Sequence, residues 1–555
     1  MVLDVRDESP WTPAAWAGFG LACAVLTLVF NGSWLFSDRV GILDWPKELY
    51  YFHYLRASLL EYWQLPVSFF TIPESLRHFS TLQDLSYWSN PEVVSLSPFL
   101  PLLWLMPLVW FIKTYFILHY VIGIAGTGLL AKRLGLPPAE GVALFALIVL
   151  NPWLAQHLAI GYSPYINYLL FPAVAALLLA PPRSPLQTAL AALGCAMAFY
   201  QGALHLFVWF NLGALAVAAL ACVHRRSPWP LARVMWMQVL TFVLVFPKYR
   251  AVTWAYADFI RSPGTGYSSR TNLWGLITDT QSPLFDFPAT YTRYGVAFYD
   301  ASLGVGAWFT ALLGLAVLCW PLLGREKEKD SFPCWIPAAC CALFLALGWG
   351  GNWLSVTRLV PALASEIYPF RWLYPAYLFA AVFTLAVLVR AASGIRARAA
   401  VFVLLLPCLW VFHQRNAVFS EVMNREEDIF EGFSIREHLT HKVTALSGNT
   451  LLPRTANPDG LIIIPPGSEG DPVHLPWLSP WRLREYEFTN MRPDVFQPGT
   501  TSVMVVTAGT RPVAVKGRTH ARGVLGAACA AVFIVMAWSS CRMRGSRHAS
   551  GRHLQ

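Results

Sequence analysis

Long apolar runs divide this chain of 555 residues, and about a dozen of them are close to the length that crosses a bilayer. Inside lipid a backbone must satisfy its own hydrogen bonds, so runs of this kind fold as helices. The sequence is 56% hydrophobic and 13% charged, whereas a soluble domain is about 25% charged. These observations exclude a soluble globular protein and predict an all-α polytopic membrane protein.

We predict twelve transmembrane helices from the positions of these runs. The first is interpreted as an uncleaved anchor, because no clear small-residue cleavage site follows it. The predicted spans cover roughly residues 14–31, 107–131, 139–157, 164–181, 186–202, 204–223, 231–248, 302–323, 333–349, 372–390, 398–415 and 523–540.

Basic residues lie in alternate connections between the runs, for example at Lys132-Arg133 and Arg225-Arg226. Positive charge in short loops orients a membrane protein with those loops in the cytoplasm. Because the net charge of +10 is distributed in this way, nucleic acid is excluded as a partner and both termini are predicted to be cytoplasmic. The long polar segments then face outward, and they are 32–106, 249–301, 350–371 and 416–522.

Three units are predicted along the chain. Residues 1–415 form a transmembrane module whose first extracytoplasmic loop is 32–106, residues 416–522 form a small extracytoplasmic α/β domain, and residues 523–555 form a final helix with a basic cytoplasmic tail. The small domain is predicted to be β-rich, because strand-like stretches alternate there with Pro and Gly turns. These stretches are 461–464, 485–488, 502–507 and 512–516. No cysteine lies in 32–106 or 416–522, which excludes a disulfide framework in either segment.

The first polar segment carries an acidic pair, Asp44 and Glu48, within the stretch ILDWPKELYY. Pro46 suits the first turn of a helix, which places Asp44 near a helix N-terminus, where a carboxylate is stabilised. Two close carboxylates can raise the pKa of one of them, as general-base catalysis requires. The alternatives are that Asp44 only caps the helix and that both carboxylates are solvated. We predict that the helix, at 47–63, lies along the membrane interface as an amphipathic helix.

Other polar residues of the outward segments are candidates for substrate contacts. Asn90, in the turn SNPE, either binds a sugar hydroxyl or stabilises the turn. Arg371 lies where an outward segment enters the tenth span. It either binds a phosphate through its guanidinium, or reaches lipid headgroups, or pairs with Glu366. Arg250 and Arg270 either attract an anionic ligand or are solvated.

His157 and His205 lie near the outer ends of predicted spans. They either pack as polar residues inside the bundle or contact a substrate hydroxyl. No two histidines have the H-x-x-x-H spacing on one segment, so no metal site is predicted from them. The sequence contains no P-loop, G-x-S-x-G motif or dinucleotide fingerprint, which leaves nucleotide-driven and serine-hydrolase mechanisms without support.

Several short motifs together resemble the GT-C glycosyltransferases, and more closely the bacterial YfhO-type membrane proteins. In the first loop the similar residues are Asp44, Tyr50-Tyr51-Phe52, Leu65-Pro66 and Asn90-Pro91. Later in the chain they are the stretches NPWLAQH at 151–157, YDASLG at 299–304 and Pro369-Phe370-Arg371.

This resemblance implies a membrane glycosyltransferase of the GT-C type, in the bacterial inner (cytoplasmic) membrane, with its active face extracytoplasmic. A sugar would move, with inversion at the anomeric carbon, from a polyprenyl-phosphate donor to a glycan, lipid or protein acceptor. Asp44 would act as general base, and the substrate-binding residues would be Glu48, Asn90, His157, His205, Arg250, Arg270 and Arg371. No cofactor is expected beyond the donor itself, membrane lipids are expected partners, and the need for a divalent metal stays open.

Two other functional classes stay open. A transporter or flippase for a lipid-linked sugar needs ionisable residues deep in several spans, whereas the predicted spans are almost free of them apart from Lys113. A non-catalytic scaffold of an envelope polysaccharide assembly complex would instead act through 416–522.

Overall fold

The computed structural model describes most of the helical part of the chain and a set of strands near its C-terminus. The described residues are 10–42, 44–60, 87–88, 90–179, 185–255, 270–278, 303–323, 332–348, 369–392, 394–421, 423–425 and the strands between 443 and 517.

Helices occupy the apolar runs, and proline in the first turn starts several of them, as at Pro13, Pro138 and Pro152. In chain order they are α1 Pro13–Leu35, α2 Trp45–Leu60, α3 Leu108–Arg133, α4 Pro138–Val149, α5 Pro152–Ala159, α6 Phe171–Leu179, α7 Pro185–Tyr200, α8 Leu204–Arg225, α9 Trp229–Ala255, α10 Arg270–Thr278, α11 Gly306–Cys319, α12 Trp335–Leu347, α13 Leu373–Ala391 and α14 Ile395–Glu421. Short 3-10 helices lie at Leu100–Trp104, Ser163–Leu170, Trp320–Leu323 and Pro369–Trp372.

In the part of the chain that the structure describes, seven helical segments are long and apolar enough to cross a membrane. They are Pro13–Leu35, Leu108–Arg133, Pro138–Ala159, Leu204–Arg225, Trp229–Thr253, Leu373–Ala391 and Ile395–Ser420. Shorter apolar helical segments lie at Ser163–Leu179, Pro185–Tyr200, Gly306–Cys319 and Trp335–Leu347. The predicted helical multi-pass membrane protein is therefore confirmed. The predicted last span, 523–540, lies outside the described residues, so the count of twelve stays a prediction.

The third predicted span is broken near its end. Asn151 caps α5, because its side chain accepts a hydrogen bond of 3.2 Å from the backbone N–H of Leu154. The short α5 is then followed by a turn at 160–162 and a 3-10 helix. This irregular backbone, which we call the 158–163 segment, is the framework on which the candidate site is built.

The helix bundle has two chemically different ends. At the end that we call the basic end, the Arg390 guanidinium donates to the backbone carbonyls of Phe332 and Leu134, over 2.8 and 3.4 Å. At the opposite end, the loop end, the Lys113 ammonium donates to the backbone carbonyl of Trp34, over 2.7 Å, and to that of Arg39. The loop end therefore collects the connections that leave the first span.

A second buried lysine fastens another connection to the loop end. Lys248 of α9 donates to the backbone carbonyl of Val93 over 3.0 Å and to the Ser95 hydroxyl over 2.7 Å. The backbone N–H of Ser95 donates in turn to the carbonyl of Tyr200, over 2.8 Å. Residues 93–95 are thus held between two helices, which fixes the position of the loop that precedes them.

Helix α2 is enclosed by the rest of the protein, so the prediction of an amphipathic helix is wrong, while its location along the membrane interface stays a prediction. The described side chains from Trp45 to Leu55 are buried or half-buried, and Trp45, Leu49 and Tyr54 are fully buried in the main apolar core. Lys47, one of the charged residues that suggested an exposed face, is buried, and so is Glu48. The charged groups of Lys47 and Glu48 have polar partners inside the protein, as described below, so these two residues need no exposed face.

The described residues after 442 form an antiparallel sheet of eight strands in the order β7-β10-β5-β4-β3-β6-β9-β8. The strands are β3 Val443–Ser447, β4 Thr450–Ala456, β5 Leu461–Ile464, β6 Pro472–Leu475, β7 Tyr486–Thr489, β8 Met491–Arg492, β9 Val503–Thr507 and β10 Val513–Gly517. Each of the predicted strand-like stretches overlaps one of these strands. The boundaries and extracytoplasmic location of a separate domain stay predictions.

A small second sheet links the two ends of the transmembrane part of the chain. Strand β1, Arg39–Gly41, pairs antiparallel with β2, Asn424–Arg425. The Arg425 guanidinium also contacts the Asp38 carboxylate over 3.1 Å. The backbone that follows α14 is thereby attached to the loop that leads into α2.

Candidate functional site

Asp44 lies at the start of α2, as the sequence predicts. Its backbone carbonyl accepts the N–H of Glu48 over 3.1 Å, which is the first hydrogen bond of the helix. Its carboxylate lies 3.3 Å from the Lys47 ammonium and is 29% exposed. Asp44 is thus both a helix-terminal residue and an accessible carboxylate.

Lys47 is the centre of a cluster of three carboxylates, which we call the Lys47 cluster. Its ammonium lies 3.3 Å from Asp44, 3.7 Å from Glu48 and 3.2 Å from Glu92. Lys47 is 6% exposed and Glu48 is 3% exposed, whereas Glu92 is 33% exposed. Two carboxylates, those of Asp44 and Glu92, therefore face accessible space, and the third is internal.

Glu48 is the internal member of the Lys47 cluster. The Ser163 hydroxyl donates to its carboxylate over 2.5 Å. Burial raises the pKa of Glu48 to about 8, although the Lys47 ammonium and the hydrogen bond from Ser163 both favour the ionised form. Burial alone lowers the pKa of Lys47, but the carboxylates of Glu92, Asp44 and Glu48 together raise it above its ordinary value. Lys47 is therefore held as an ammonium, while Glu48 carries a proton over much of the neutral range.

The backbone on both sides of Asp44 is anchored to the 158–163 segment. The N–H of Ile42 donates to the carbonyl of Ala159 over 2.8 Å, and the N–H of Asp44 donates to the carbonyl of Ile160 over 2.9 Å. The indole of Trp45 donates to the carbonyl of Leu158 over 2.7 Å. Three hydrogen bonds thus fix Asp44 in one position on the bundle.

Gly161 allows this close approach of two backbones. Its φ is +97°, and a Cβ added there would lie 2.5 Å from the Asp44 carbonyl carbon and 2.7 Å from the Asp44 Cβ. Only glycine combines this φ with the absence of a side chain. The residue opposite Asp44 is therefore required to be glycine.

Arg371 contacts the same segment at Tyr162. Its Nη1 donates to His205 Nε2 over 2.8 Å, so that this ring nitrogen acts as the acceptor. Its guanidinium carbon lies 6.0 Å from the centre of the Tyr162 ring, within the range of a cation–π contact. Because Tyr162 follows Gly161, Asp44 and Arg371 contact adjoining residues of one turn.

Aromatic rings surround the inner side of Arg371 and His205. Tyr165 stacks on His205 with ring centres 6.4 Å apart, and Tyr374 packs on Trp153 with ring centres 4.4 Å apart. His157 is fully buried among these rings, and its Nδ1 is 2.9 Å from the carbonyl of Trp153. The packing of His157 matches the interpretation of a polar residue inside the bundle, and its contact with a substrate stays a prediction.

Asn90 makes the contacts of a turn-stabilising residue. Its side-chain oxygen accepts the backbone N–H of Glu92 over 2.9 Å, and its amide donates to the Tyr51 hydroxyl over 3.1 Å. It is fully buried. Asn90 therefore holds the backbone at Glu92, which supports a turn-stabilising role for Asn90 over binding of a sugar hydroxyl.

The remaining predicted residues are Arg250 and Arg270. Arg250 is an exposed residue near the end of α9. Arg270 is the first residue of α10, and its side chain lies outside the described residues, as does Glu366. A role for either arginine in binding an anion stays a prediction.

Sequence reasoning missed the central role of Lys47 and the presence of Glu92 and Ser163 in the cluster. Glu92 follows Asn90 in the turn SNPE, so its acidic side chain was a visible signal. Ser163 lies 115 residues from Glu48 in the sequence, and no local pattern marks it. With Lys47 in place between the three carboxylates, no group of three or more His, Cys, Asp or Glu side chains of the described residues is arranged to hold a metal ion.

Comparisons with known proteins found little. No family model matches the sequence, and no curated protein matches it. Among solved structures, the single-particle cryo-EM structure of the arabinofuranosyltransferase AftD from mycobacteria matches 74% of this chain with a TM-score of 0.43 and 14% sequence identity. The match spans 27% of that protein's chain. A likeness of this size does not establish a common fold or activity, and membership of the YfhO-type family stays a prediction.

Proposed function

We propose that this chain is a GT-C type membrane glycosyltransferase, which moves a sugar from a polyprenyl-phosphate donor to an acceptor hydroxyl on a glycan, lipid or protein. The site lies at the loop end of the bundle. The basic connections lie at the opposite end, and by the positive-inside rule this supports an extracytoplasmic location for the loop end, in the proposed bacterial cytoplasmic membrane.

One observation carries the proposal. An accessible carboxylate, Asp44, and a buried guanidinium, Arg371, contact adjoining residues of the turn at Gly161 and Tyr162. A transfer from a lipid phosphate needs a base for the acceptor and a cation for the leaving phosphate in one site. The two groups come from segments more than three hundred residues apart in sequence, and the fold brings them to one turn.

The proposed reaction is a single displacement. Asp44 takes the proton of the acceptor hydroxyl, and the oxygen attacks the anomeric carbon of the donor sugar. The bond from this carbon to the phosphate oxygen breaks, and its electron pair leaves with the polyprenyl phosphate. Arg371 pairs with the additional negative charge on that phosphate. The configuration at the anomeric carbon is inverted, since attack and departure occur on opposite faces.

Asp44 suits the base better than the other carboxylates of the Lys47 cluster. Glu48 is internal, and its pKa of about 8 leaves it largely protonated near neutral pH. Glu92 is accessible, but it lies on the loop at 90–95, whereas Asp44 is bonded directly to the turn that also contacts Arg371.

Substitution of Asp44 tests the base. Asp44→Asn is expected to lower sugar transfer by about 10²- to 10⁴-fold, as loss of a general base does. Transfer would be measured as release of polyprenyl phosphate from a panel of short-chain polyprenyl-phosphate sugars, with the full chain in detergent. The matched control is Asp38→Asn in the same loop, because Asp38 is exposed and contacts Arg425. Equal transfer by Asp44→Asn and Asp38→Asn would reject Asp44 as the base.

Substitution of Arg371 tests the phosphate site. Arg371→Gln is expected to weaken binding of undecaprenyl phosphate and to lower transfer by about 10²-fold or more, as loss of an electrostatic contact to a developing charge does. Arg371→Lys should recover part of the binding, since lysine keeps the charge but not the fork of donors. The matched control is Arg398→Gln, which alters the half-exposed pair with Glu140 at the basic end. Unchanged binding of undecaprenyl phosphate by Arg371→Gln would remove Arg371 from the site.

The same variants separate the alternatives. A flippase would move a fluorescent lipid-linked sugar across vesicles with Asp44→Asn intact, and a scaffold would tolerate both substitutions. Lys113, the exception in the sequence, donates to two backbone carbonyls at the end of the first span. These contacts give it a structural role and offer no support for a coupling path.

A further inference from the structure

The Lys47 cluster brings two separate parts of the chain together around the Lys47 ammonium. Asp44 and Glu48 belong to α2, whereas Glu92 lies 45 residues beyond Lys47. All three carboxylates have an oxygen within 3.7 Å of the Lys47 ammonium. In geometry this is a set of acidic oxygens arranged around a single cation.

Each acidic residue of the cluster also has a contact other than Lys47, through its side chain in Glu48 and through its backbone in Asp44 and Glu92. The Ser163 hydroxyl donates to Glu48. Asn90 accepts the N–H of Glu92, and the carbonyl of Ile160 accepts the N–H of Asp44. The fold therefore fixes the Glu48 carboxylate and the backbone that carries Asp44 and Glu92. The Lys47 ammonium lies between the three carboxylates, at what we call the cation position.

We infer that the Lys47 ammonium takes the place that a divalent cation occupies in other acidic sites, so that the proposed transfer proceeds without a metal ion. The inference rests on the proposed function only in its last clause, because the occupancy of the cation position is independent of the reaction. Lys47 then acts as a positioning residue, which holds Asp44 in one orientation and compensates the charge of its neighbours.

The geometry does not fit a resident divalent cation beside Lys47. Calcium and magnesium bind carboxylate oxygens at about 2.0–2.6 Å, and the ammonium already lies between the same oxygens at 3.2–3.7 Å. A second cation at that point would be repelled by the first at close range, in a partly buried place where screening by water is weak. Because a lysine cannot dissociate from the chain, the positive charge persists when metal ions are removed.

Binding of Mn²⁺, followed by electron paramagnetic resonance on the full chain in detergent, tests the inference without any sugar donor. The wild-type protein is expected to bind no Mn²⁺ that depends on Asp44 or Glu92. Lys47→Ala vacates the cation position, and it is expected to gain one Mn²⁺ per chain at micromolar concentration. Lys47→Ala combined with Glu92→Gln should lose that gain, since a ligand is removed.

Matched variants keep the test decisive. Lys132→Ala, at the exposed basic end of α3, should gain no Mn²⁺, and Lys47→Arg should bind none because it keeps the charge in place. Wild-type binding of Mn²⁺ that disappears in Asp44→Asn would overturn the inference, whether or not Lys47→Ala folds. A folded Lys47→Ala that binds no Mn²⁺ would also overturn it.

The transfer assay adds a separate readout. If transfer is detected, the wild-type rate should not change in EDTA, and Lys47→Ala should be slow and partly rescued by Mn²⁺. Loss of wild-type transfer in EDTA, restored by metal, would overturn the metal-free clause. If no polyprenyl-phosphate sugar is transferred, the proposed function fails while the Mn²⁺ measurement still decides what occupies the cation position.

Discussion

Glu48→Gln should change how the stability of this protein depends on pH. Glutamine keeps the size of the side chain and an oxygen that accepts from the Ser163 hydroxyl, but it cannot ionise. Glu48 is 3% exposed, and burial raises its pKa from 4.5 to about 8. The folded protein therefore holds this proton more tightly than the unfolded chain.

The sign of the effect follows from this proton. Below about pH 4.5 the carboxyl is protonated in both states, and its contribution to stability is fully present. Between pH 4.5 and about 8 the unfolded chain loses the proton first, so the free energy of unfolding falls as pH rises. At 1.36 kcal/mol per pH unit, the wild-type protein loses about 2.5 kcal/mol between pH 5.5 and 7.5 through this group, and Glu48→Gln does not.

Reversible unfolding in mixed micelles, followed by tryptophan fluorescence at a series of pH values, measures this difference. The free energy of unfolding of Glu48→Gln minus that of wild type should rise by about 2.5 kcal/mol from pH 5.5 to 7.5. Ser163→Ala is the matched variant. It removes a hydrogen bond that favours the ionised carboxylate, so the upper limit of the pH window should move upward.

Two results would refute the reasoning. Parallel pH curves for wild type and Glu48→Gln would show that Glu48 does not titrate between the two states. A downward movement of the window in Ser163→Ala would show that the Ser163 hydroxyl does not stabilise the ionised carboxylate.

Three further predictions concern the framework of the site. Gly161→Ala should displace Asp44 and lower both stability and transfer more than Gly135→Ala does. Both glycines have positive φ, but an added Cβ meets Asp44 only at Gly161. Thermal unfolding and the transfer assay would compare the two variants. Lys113→Met should lower the free energy of unfolding by about 1–3 kcal/mol, because two backbone carbonyls lose a charged donor. An unchanged denaturation midpoint would contradict this structural role of Lys113. Arg390→Met should lower the thermal unfolding temperature through loss of its contacts at the basic end. Transfer per folded molecule should stay unchanged, which the transfer assay normalised to the amount of folded protein would check.

The helices of this protein could be predicted from sequence because the signal is local. A run of apolar residues long enough to cross lipid has one stable backbone conformation, and eleven of the predicted spans coincide with apolar helical segments of the structure. The strands at 461–464 and 503–507 were visible for a similar reason, since β-branched residues are concentrated there.

The site was only partly visible in the sequence. Asp44 could be found because the adjacent residues indicate the start of a helix. Arg371 could be found because a charge at the end of a span needs a partner. The Lys47 cluster could not, since Glu92, and Ser163 that donates to Glu48, lie on separate segments that meet α2 only in the folded bundle.

The same limit explains the wrong prediction for α2. Charged residues at helical spacing usually mark a face toward water or headgroups. Here the buried Lys47 ammonium is compensated inside the protein by the carboxylates of Asp44 and Glu92, and the buried Glu48 lies beside it. A pattern of charges cannot distinguish an exposed face from an internal ion cluster when the partners lie elsewhere in the chain.

The pairing of β1 with β2 has a consequence for truncation experiments. Met423 is buried in the main core, and Arg425 contacts Asp38 only a few residues before Asp44. A chain shortened to end at residue 415 would lose these attachments together with the C-terminal sheet, and any loss of activity would then have two causes. A stop codon after Arg425 keeps the β1–β2 pair and the Arg425–Asp38 contact, so that deletion of the C-terminal sheet alone can be assessed. The β1–β2 pair also couples the backbone after α14 to the loop that carries Asp44, so that a displacement of Arg425 would be transmitted to that loop.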